Sequence, residues 1–168
     1  LTVECFVKST SANGQRILET SADALQNEGA FALSALAGSG RVESAFTTAT
    51  YSFFGGTAWR YNKDLSDEGK TLTDGKWHHL ALVIDAAESG ADRVKLYFDK
   101  TPQTLETADN SDLAAALLNA PLYIGSPANA LNKFAGELDD IRITAAALTP
   151  AQFLGKRSAP QGTMIQLR

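Results

Sequence analysis

Residues 74–99 read DGKWHHLALVIDAAESGADRVKLYFD, and their pattern decides the fold. Asp74-Gly75 is a turn dipeptide. Trp77 to Asp85 is an apolar run of strand length, rich in β-formers. Ala86 to Asp92 is small and polar and contains Gly90. Arg93 to Asp99 then alternates, with Val94, Leu96 and Phe98 on one face and Arg93, Lys95, Tyr97 and Asp99 on the other. A period of two marks a strand buried on one side. The two runs therefore predict an antiparallel hairpin closed by Ala86–Asp92, with one face on a core. Trp77, at the head of the more apolar run, is expected in that core.

The flanking sequence has the same character. Thr2 to Lys8 alternates, with Val3, Cys5 and Val7 on one side. Phe6 sits among the polar residues of the other side, so that side is expected to be covered as well. Short strands are predicted over Arg16–Thr20, Phe31–Leu36, Arg41–Phe46, Tyr51–Phe54 and Ala58–Tyr61. Gly38-Ser39-Gly40 and Gly55-Gly56 punctuate them. Beyond the hairpin, a turn at Pro102 leads to Thr104–Thr107. Pro121–Gly125, Phe134–Thr144 and Gly162–Leu167 read as further strands, with Leu138, Ile141 and Ile143 anchoring the second. Ser111 could cap a helical turn within Asn110–Asn119. Thr149-Pro150 opens a short helix through Leu154, Thr as cap and Pro at its first position. The sum is an all-β, two-sheet antiparallel sandwich with one short helix near the C-terminus.

The chain has 168 residues, the size of one domain, and the reading is a single domain over 1–168. Fifteen Lys and Arg against nineteen Asp and Glu leave a net charge of −4. That balance argues against a nucleic-acid partner. No apolar run reaches membrane-span length, so no membrane insertion is expected. The chain opens directly on the strand-like LTVECFVK, without a signal peptide, and is expected to be a piece of a larger protein. Cys5 is alone and reads as a small apolar strand residue, not a reactive thiol.

The segments DGKWHHLALVID, VKLYFD, PLYIG and FAGELDDIRITAAALTPAQF together resemble the laminin G-like, concanavalin A-like lectin/glucanase superfamily. TVECFVK is similar to the family's T-[IV]-E-x-W-V strand, with Phe6 in place of the Trp. The resemblance covers residues 2 to about 154 and is closest to the laminin-G/pentraxin-like branch of secreted bacterial proteins. It implies a jelly roll of two antiparallel sheets and an extracellular, periplasmic or cell-surface location. An earlier F-D-G strand of the family is absent, and Thr163–Leu167 is a candidate to take its place.

Several residues are weighed for chemistry. His78 and His79 are neighbours in a strand, point to opposite faces and cannot readily share an ion. Glu137, Asp139 and Asp140 invite a glycosidase reading, which requires two carboxyls about 5–9 Å apart across one sugar bond. Alternation puts Glu137 and Asp139 on one face, with Ile141 where the glucanase pattern has its next acid. Tyr51, Trp59 and Tyr61 are candidate ligand-binding residues, because sugars stack on exposed rings; the alternative is that these rings fill the space between sheets. The resemblance also allows a structural Ca²⁺, with Asp139 as its candidate ligand. A pentraxin-type ligand-bridging calcium site lacks its acids, since Ser126, Pro127, Ala128 and Asn129 stand there. Asp64, Asp67 and Glu68 form an acidic loop that also reads as a solvated surface.

The resulting expectation is a non-catalytic module that binds carbohydrate or glycoconjugate, or adheres to a surface protein, alongside other domains of an exported bacterial parent chain. A ligand-free spacer and a glucanase-type hydrolase are the alternatives.

Overall fold

The computed structural model describes residues 1–11, 13, 15–20, 31–35, 42–47, 58–63, 65, 69–104, 122–126, 133–155 and 165–167. Eleven strands occur among the described residues. They are β1 (Thr2–Ser9), β2 (Gln15–Thr20), β3 (Phe31–Ala35), β4 (Val42–Thr47), β5 (Ala58–Lys63) and β6 (His78–Ile84). β7 (Val94–Phe98), β8 (Thr101–Gln103), β9 (Leu122–Ile124), β10 (Gly136–Thr144) and β11 (Ile165–Leu167) complete the set. Two antiparallel sheets result, in the orders β11-β10-β1-β6-β7-β8 and β5-β4-β3-β2-β9. The expected strands at Tyr51–Phe54 and the segment Asn110–Asn119 lie outside the described residues.

The alternation read from the sequence explains the core. Val3, Cys5 and Val7 of β1 meet Leu80 and Leu82 of β6 and Val94, Leu96 and Phe98 of β7, all buried. Ile17, Leu18 and Leu33 come from the second sheet into the same cluster. Ile17 and Leu18 are both buried because the register slips between Arg16 and Leu18. Cys5 is fully buried, and that burial, with the Glu4 charge beside it, pushes its thiol up to about 12. An unreactive packed thiol is the physical consequence. The outer face of the first sheet is also covered, as Phe6 foretold. Ala81, Val83 and Tyr97 pack there with Phe153 from the C-terminal segment.

The central hairpin forms as expected, β6 pairing β7 from Leu80–Phe98 to Ile84–Val94. Its connection ends in a 3₁₀ turn over Gly90–Arg93. Four expectations need correction. Trp77 is only half-buried: it lies before β6, with the Lys8 ammonium 5.9 Å from its ring. The turn expected at Pro102 is made by Asp99 and Lys100, both at positive φ, and Pro102 stands within β8. β8 is a sheet edge, where a residue without an N–H is tolerated. The helix after Thr149 is a 3₁₀ turn over Pro150–Gln152, with the Gln152 side chain accepting bonds from the Thr149 N–H and hydroxyl.

The fourth correction concerns β10. Phe134 precedes the strand and is a core residue. The pairing of β1 with β10 slips between Glu4 and Phe6, and Asp140 takes a φ of 46°. This bulge restarts the alternation. Leu138, Ile141 and Ile143 all reach the core, while Arg142 takes the outer face that unbroken alternation would give to Ile141. Asp is among the residues that tolerate the left-handed region. At the sheet edge, β11 pairs with Gly136–Leu138 of β10, so the tail does add a strand.

Candidate functional site

Three places on the sandwich carry chemistry. The first is β5, the outermost strand of the five-stranded sheet, which holds Trp59 and Tyr61. Trp59 stands opposite Phe46 and Tyr61 opposite Ser44 on β4, in an unbroken register. Tyr51 lies outside the described residues, as do Asp64, Asp67 and Glu68.

The second is the covered outer face of the six-stranded sheet. Glu4 is fully buried there. Its Oε1 accepts from the Arg142 guanidinium, through Nε at 2.6 Å and through Nη2. Its Oε2 accepts from His79 Nε2 at 2.8 Å and from the Leu154 backbone N–H at 2.9 Å. Phe6 and Phe153 flank the His79 ring at 5.1 and 5.6 Å between centroids. The other nitrogen of that ring, Nδ1, is buried without a hydrogen-bond partner. Burial holds His79 below the usual imidazole value and outweighs Glu4, which pulls it up. A neutral ring that donates from Nε2 satisfies this geometry, since an imidazolium would bury an unpaired N–H. Sequence reading placed Glu4 in a family motif but gave it no role. The signal was there: a Glu between Val3 and Cys5 in a strand covered on both faces needs cationic company.

The third is a cavity of about 240 Å³ at one end of the sandwich. The segment 69–71 and Asp74 line one side, and Asp99 and Thr101 the other. His78 spans them, its Nε2 3.0 Å from Asp74 Oδ1 and its Nδ1 2.9 Å from Asp99 Oδ2. Its ring stacks on Phe98 with centroids 4.6 Å apart. Burial pushes Asp74 up, yet the Lys76 N–H, His78 and the Lys76 ammonium together outweigh it and hold the carboxyl down at about 2. His78 and His79 thus face opposite sides of the sheet, as their adjacency implied.

The acidic residues of β10 do not converge. Glu137 pairs with Lys8 at 2.8 Å. Asp139 Oδ1 accepts the N–H of Asp140 at 3.0 Å. Ca²⁺ needs six to eight oxygens. Among the described residues no group of three or more His, Cys, Asp or Glu could hold a metal ion.

A sandwich of two antiparallel sheets sharing one core defines a β-sandwich of the jelly-roll class. The family model of the concanavalin A-like lectin/glucanases superfamily matches residues 1–153, and the chain belongs to that superfamily. No curated protein sequence matches it. Among solved structures it is similar to the CBM40 of the Ruminococcus gnavus IT-sialidase. The TM-score is 0.65 at 13% identity, covering 90% of this chain and 78% of that one. The same module is known bound to α2,3-sialyllactose, with the same similarity. A heptameric SAP-like pentraxin from Limulus polyphemus is similar with a TM-score of 0.59 and 17% identity, over 90% of this chain and 66% of that one. At these identities the likeness is one of fold.

Proposed function

We propose that this domain is a non-catalytic carbohydrate-binding module of a larger exported protein, with Trp59 and Tyr61 on β5, and Tyr51, as its sugar-stacking residues. The observation that carries the reading is a fold shared with a module that holds a sialylated glycan. Aromatic rings give sugars an apolar face, and neighbouring polar groups bond the hydroxyls. The carboxylates support a binding role over a hydrolytic one. Glu137 and Glu4 are committed to Lys8 and Arg142, and Asp139 to a backbone N–H. Retaining or inverting hydrolysis would need two carboxyls free to face one glycosidic bond.

A glycan array probed with the purified domain, and with Trp59→Ala and Tyr61→Ala, tests this. Retention of one glycan class, lost in both variants, is the expected result. An empty array favours a spacer. Turnover of β-glucans or aryl glycosides that vanishes in Glu137→Gln would replace the binding reading with a hydrolase.

A further inference from the structure

Residues 145–154 cross the outer face of the six-stranded sheet, and the buried His79 ring lies beneath them. We propose that this segment is a strap that releases when the His79 ring takes a proton from solvent on Nδ1, uncovering an apolar patch of Phe6, Ala81, Val83 and Tyr97.

The strap is thinly held. Phe153 is its one buried residue, while most of the others are exposed. Phe153 packs edge-on against Tyr97 and tilted against His79. The remaining hold is polar. The Thr2 hydroxyl donates to the Ala146 carbonyl at 2.7 Å and accepts the Leu148 N–H at 2.9 Å. Arg142 Nη2 donates to the Gln152 carbonyl at 2.7 Å, and the Leu154 N–H donates to Glu4 Oε2 at 2.9 Å. The strap's regular structure is the single 3₁₀ turn over Pro150–Gln152. Segments with few buried apolar contacts open at a fraction of the global cost.

His79 is the trigger because a proton on its second nitrogen has no acceptor. Nε2 is bonded to Glu4, and Nδ1 is buried without a partner. Arg142, His79 and Leu154 already fill the four acceptor positions of Glu4. From β10, Arg142 neutralises that carboxylate, and Asp139 stands across Phe6, bonded to the Asp140 N–H. From the β7 side, Asp99 favours a charged ring and Lys100 opposes one. Asp99 is itself engaged by the His79 N–H and by His78. The strap carries no charged side chain. A proton on Nδ1 therefore needs water. Phe6 and Phe153 flank the ring, and Phe6 is fixed in β1 between β10 and β6. Lifting Phe153 is the less disruptive way to admit water. Leu154 shares Glu4 Oε2 with His79, so one carboxylate oxygen joins the trigger to the strap.

In the closed form burial holds the ring below its ordinary 6.5 and outweighs Glu4. Water restores the ordinary value in the open form. Opening thus takes up a proton between those two values, and its equilibrium constant rises by up to about tenfold per pH unit of acidification.

The test is native-state hydrogen exchange of the ¹⁵N-labelled domain by NMR from pH 7.5 to 5, at several sub-denaturing urea concentrations. Each rate is referred to the intrinsic rate at its pH. The Leu154 amide is expected to exchange through an opening nearly insensitive to urea and less costly than that of the β6 amides. Its protection should fall below pH 6.5 by up to about tenfold per unit. His79→Gln, neutral at every pH, should keep the local opening and lose the slope. Thr2→Val removes two bonds at the far end of the strap and should lower Leu154 protection by one factor at every pH, slope intact. If His79→Gln does not fold, the parent and Thr2→Val decide. Leu154 protection equal to that of β6, a local opening that ignores pH, a slope kept in folded His79→Gln, or Leu154 protection unchanged in Thr2→Val would each overturn the strap.

Discussion

Glu4 has no solvent exposure, and its two oxygens accept four donors from His79, Arg142 and Leu154. Truncating one member of a buried charged pair leaves its partners desolvated and unpaired, at a cost of about 3–5 kcal/mol. Glu4→Ala is expected at the lower end, about 3 kcal/mol, because Arg142 is partly exposed and can turn to water. Urea unfolding reads this directly, and a midpoint unchanged from the parent would show that the network contributes nothing. His79 adds a pH dependence whose sign follows from its depressed folded value. Below its ordinary value near 6.5 the unfolded chain binds a proton that the folded chain refuses. The stabilisation is therefore complete above pH 6.5 and declines as pH falls from there toward the folded value. Asp74 acts in a lower window, between its ordinary 3.8 and about 2, so the two are separable. Denaturant melts from pH 7.5 to 5 should show stability falling, and His79→Gln should flatten that slope. A slope retained in the variant would assign it to another group.

Among the strands, the hairpins show where sequence reading succeeds and where it stops. β6 and β7 were legible because apolar alternation is long and unambiguous there. The β7–β8 turn was not, because Asp99-Lys100 lacks the Asn-Gly or Asp-Gly signature of a two-residue turn with positive φ, and Pro102 drew attention away from it. Lys100 at φ 64° stores the cost of a left-handed residue with a Cβ, roughly 1–2 kcal/mol. Lys100→Gly removes that cost but loosens the unfolded chain, so a net gain of about 0.5–1 kcal/mol is expected. Differential scanning calorimetry would register it as a melting point a few degrees higher, and a lower one would mean that the Lys side chain makes contacts that outweigh the strain. The β10 bulge hid in the same way. Its trace in the sequence is the spacing of Leu138, Ile141 and Ile143, three residues and then two, where a regular strand gives two and two.

At the level of the whole molecule, the sandwich was readable, and so was the existence of a cover on its outer face, but not the segment that forms it. Fold class follows from many weak strand signals that agree, while the cover of the outer face depends on where a short polar-flanked segment comes to rest. Phe153 decides that placement, packing on Tyr97 at 4.9 Å and on His79. Trp77 looked like the central aromatic because it heads an apolar run, yet the chain turns at Asp74–Lys76 and leaves it half-covered. Phe153→Ala should cost about 3–5 kcal/mol, the usual range for a buried aromatic, and Trp77→Ala clearly less. Parallel thermal melts rank the two, and the reverse order would contradict the packing described. The candidate residues divided likewise: Trp59 and Tyr61 can be singled out from the local pattern of β5, whereas the His78 cavity joins residues up to 32 positions apart, from Gly69 to Thr101, and no local pattern announces it.

The position of β1 in the middle of its sheet governs how the molecule can be made. It lies between β10 and β6, so Glu4 is 75 residues from His79, 138 from Arg142 and 150 from Leu154. Contacts this distant in sequence close slowly, and sandwiches of this kind refold in roughly milliseconds to seconds. Translation sets a longer wait. At about 5–20 residues per second, the stretch from Glu4 to Leu154 takes roughly 8–30 s to emerge. Throughout that interval Val3, Cys5, Phe6 and Val7 lack the strand that will shield one edge of β1 and the segment that will cover its outer face. A nascent chain in this condition offers an apolar strand with an unpaired edge to any neighbour, so the yield of soluble domain should depend on how crowded its ribosomes are.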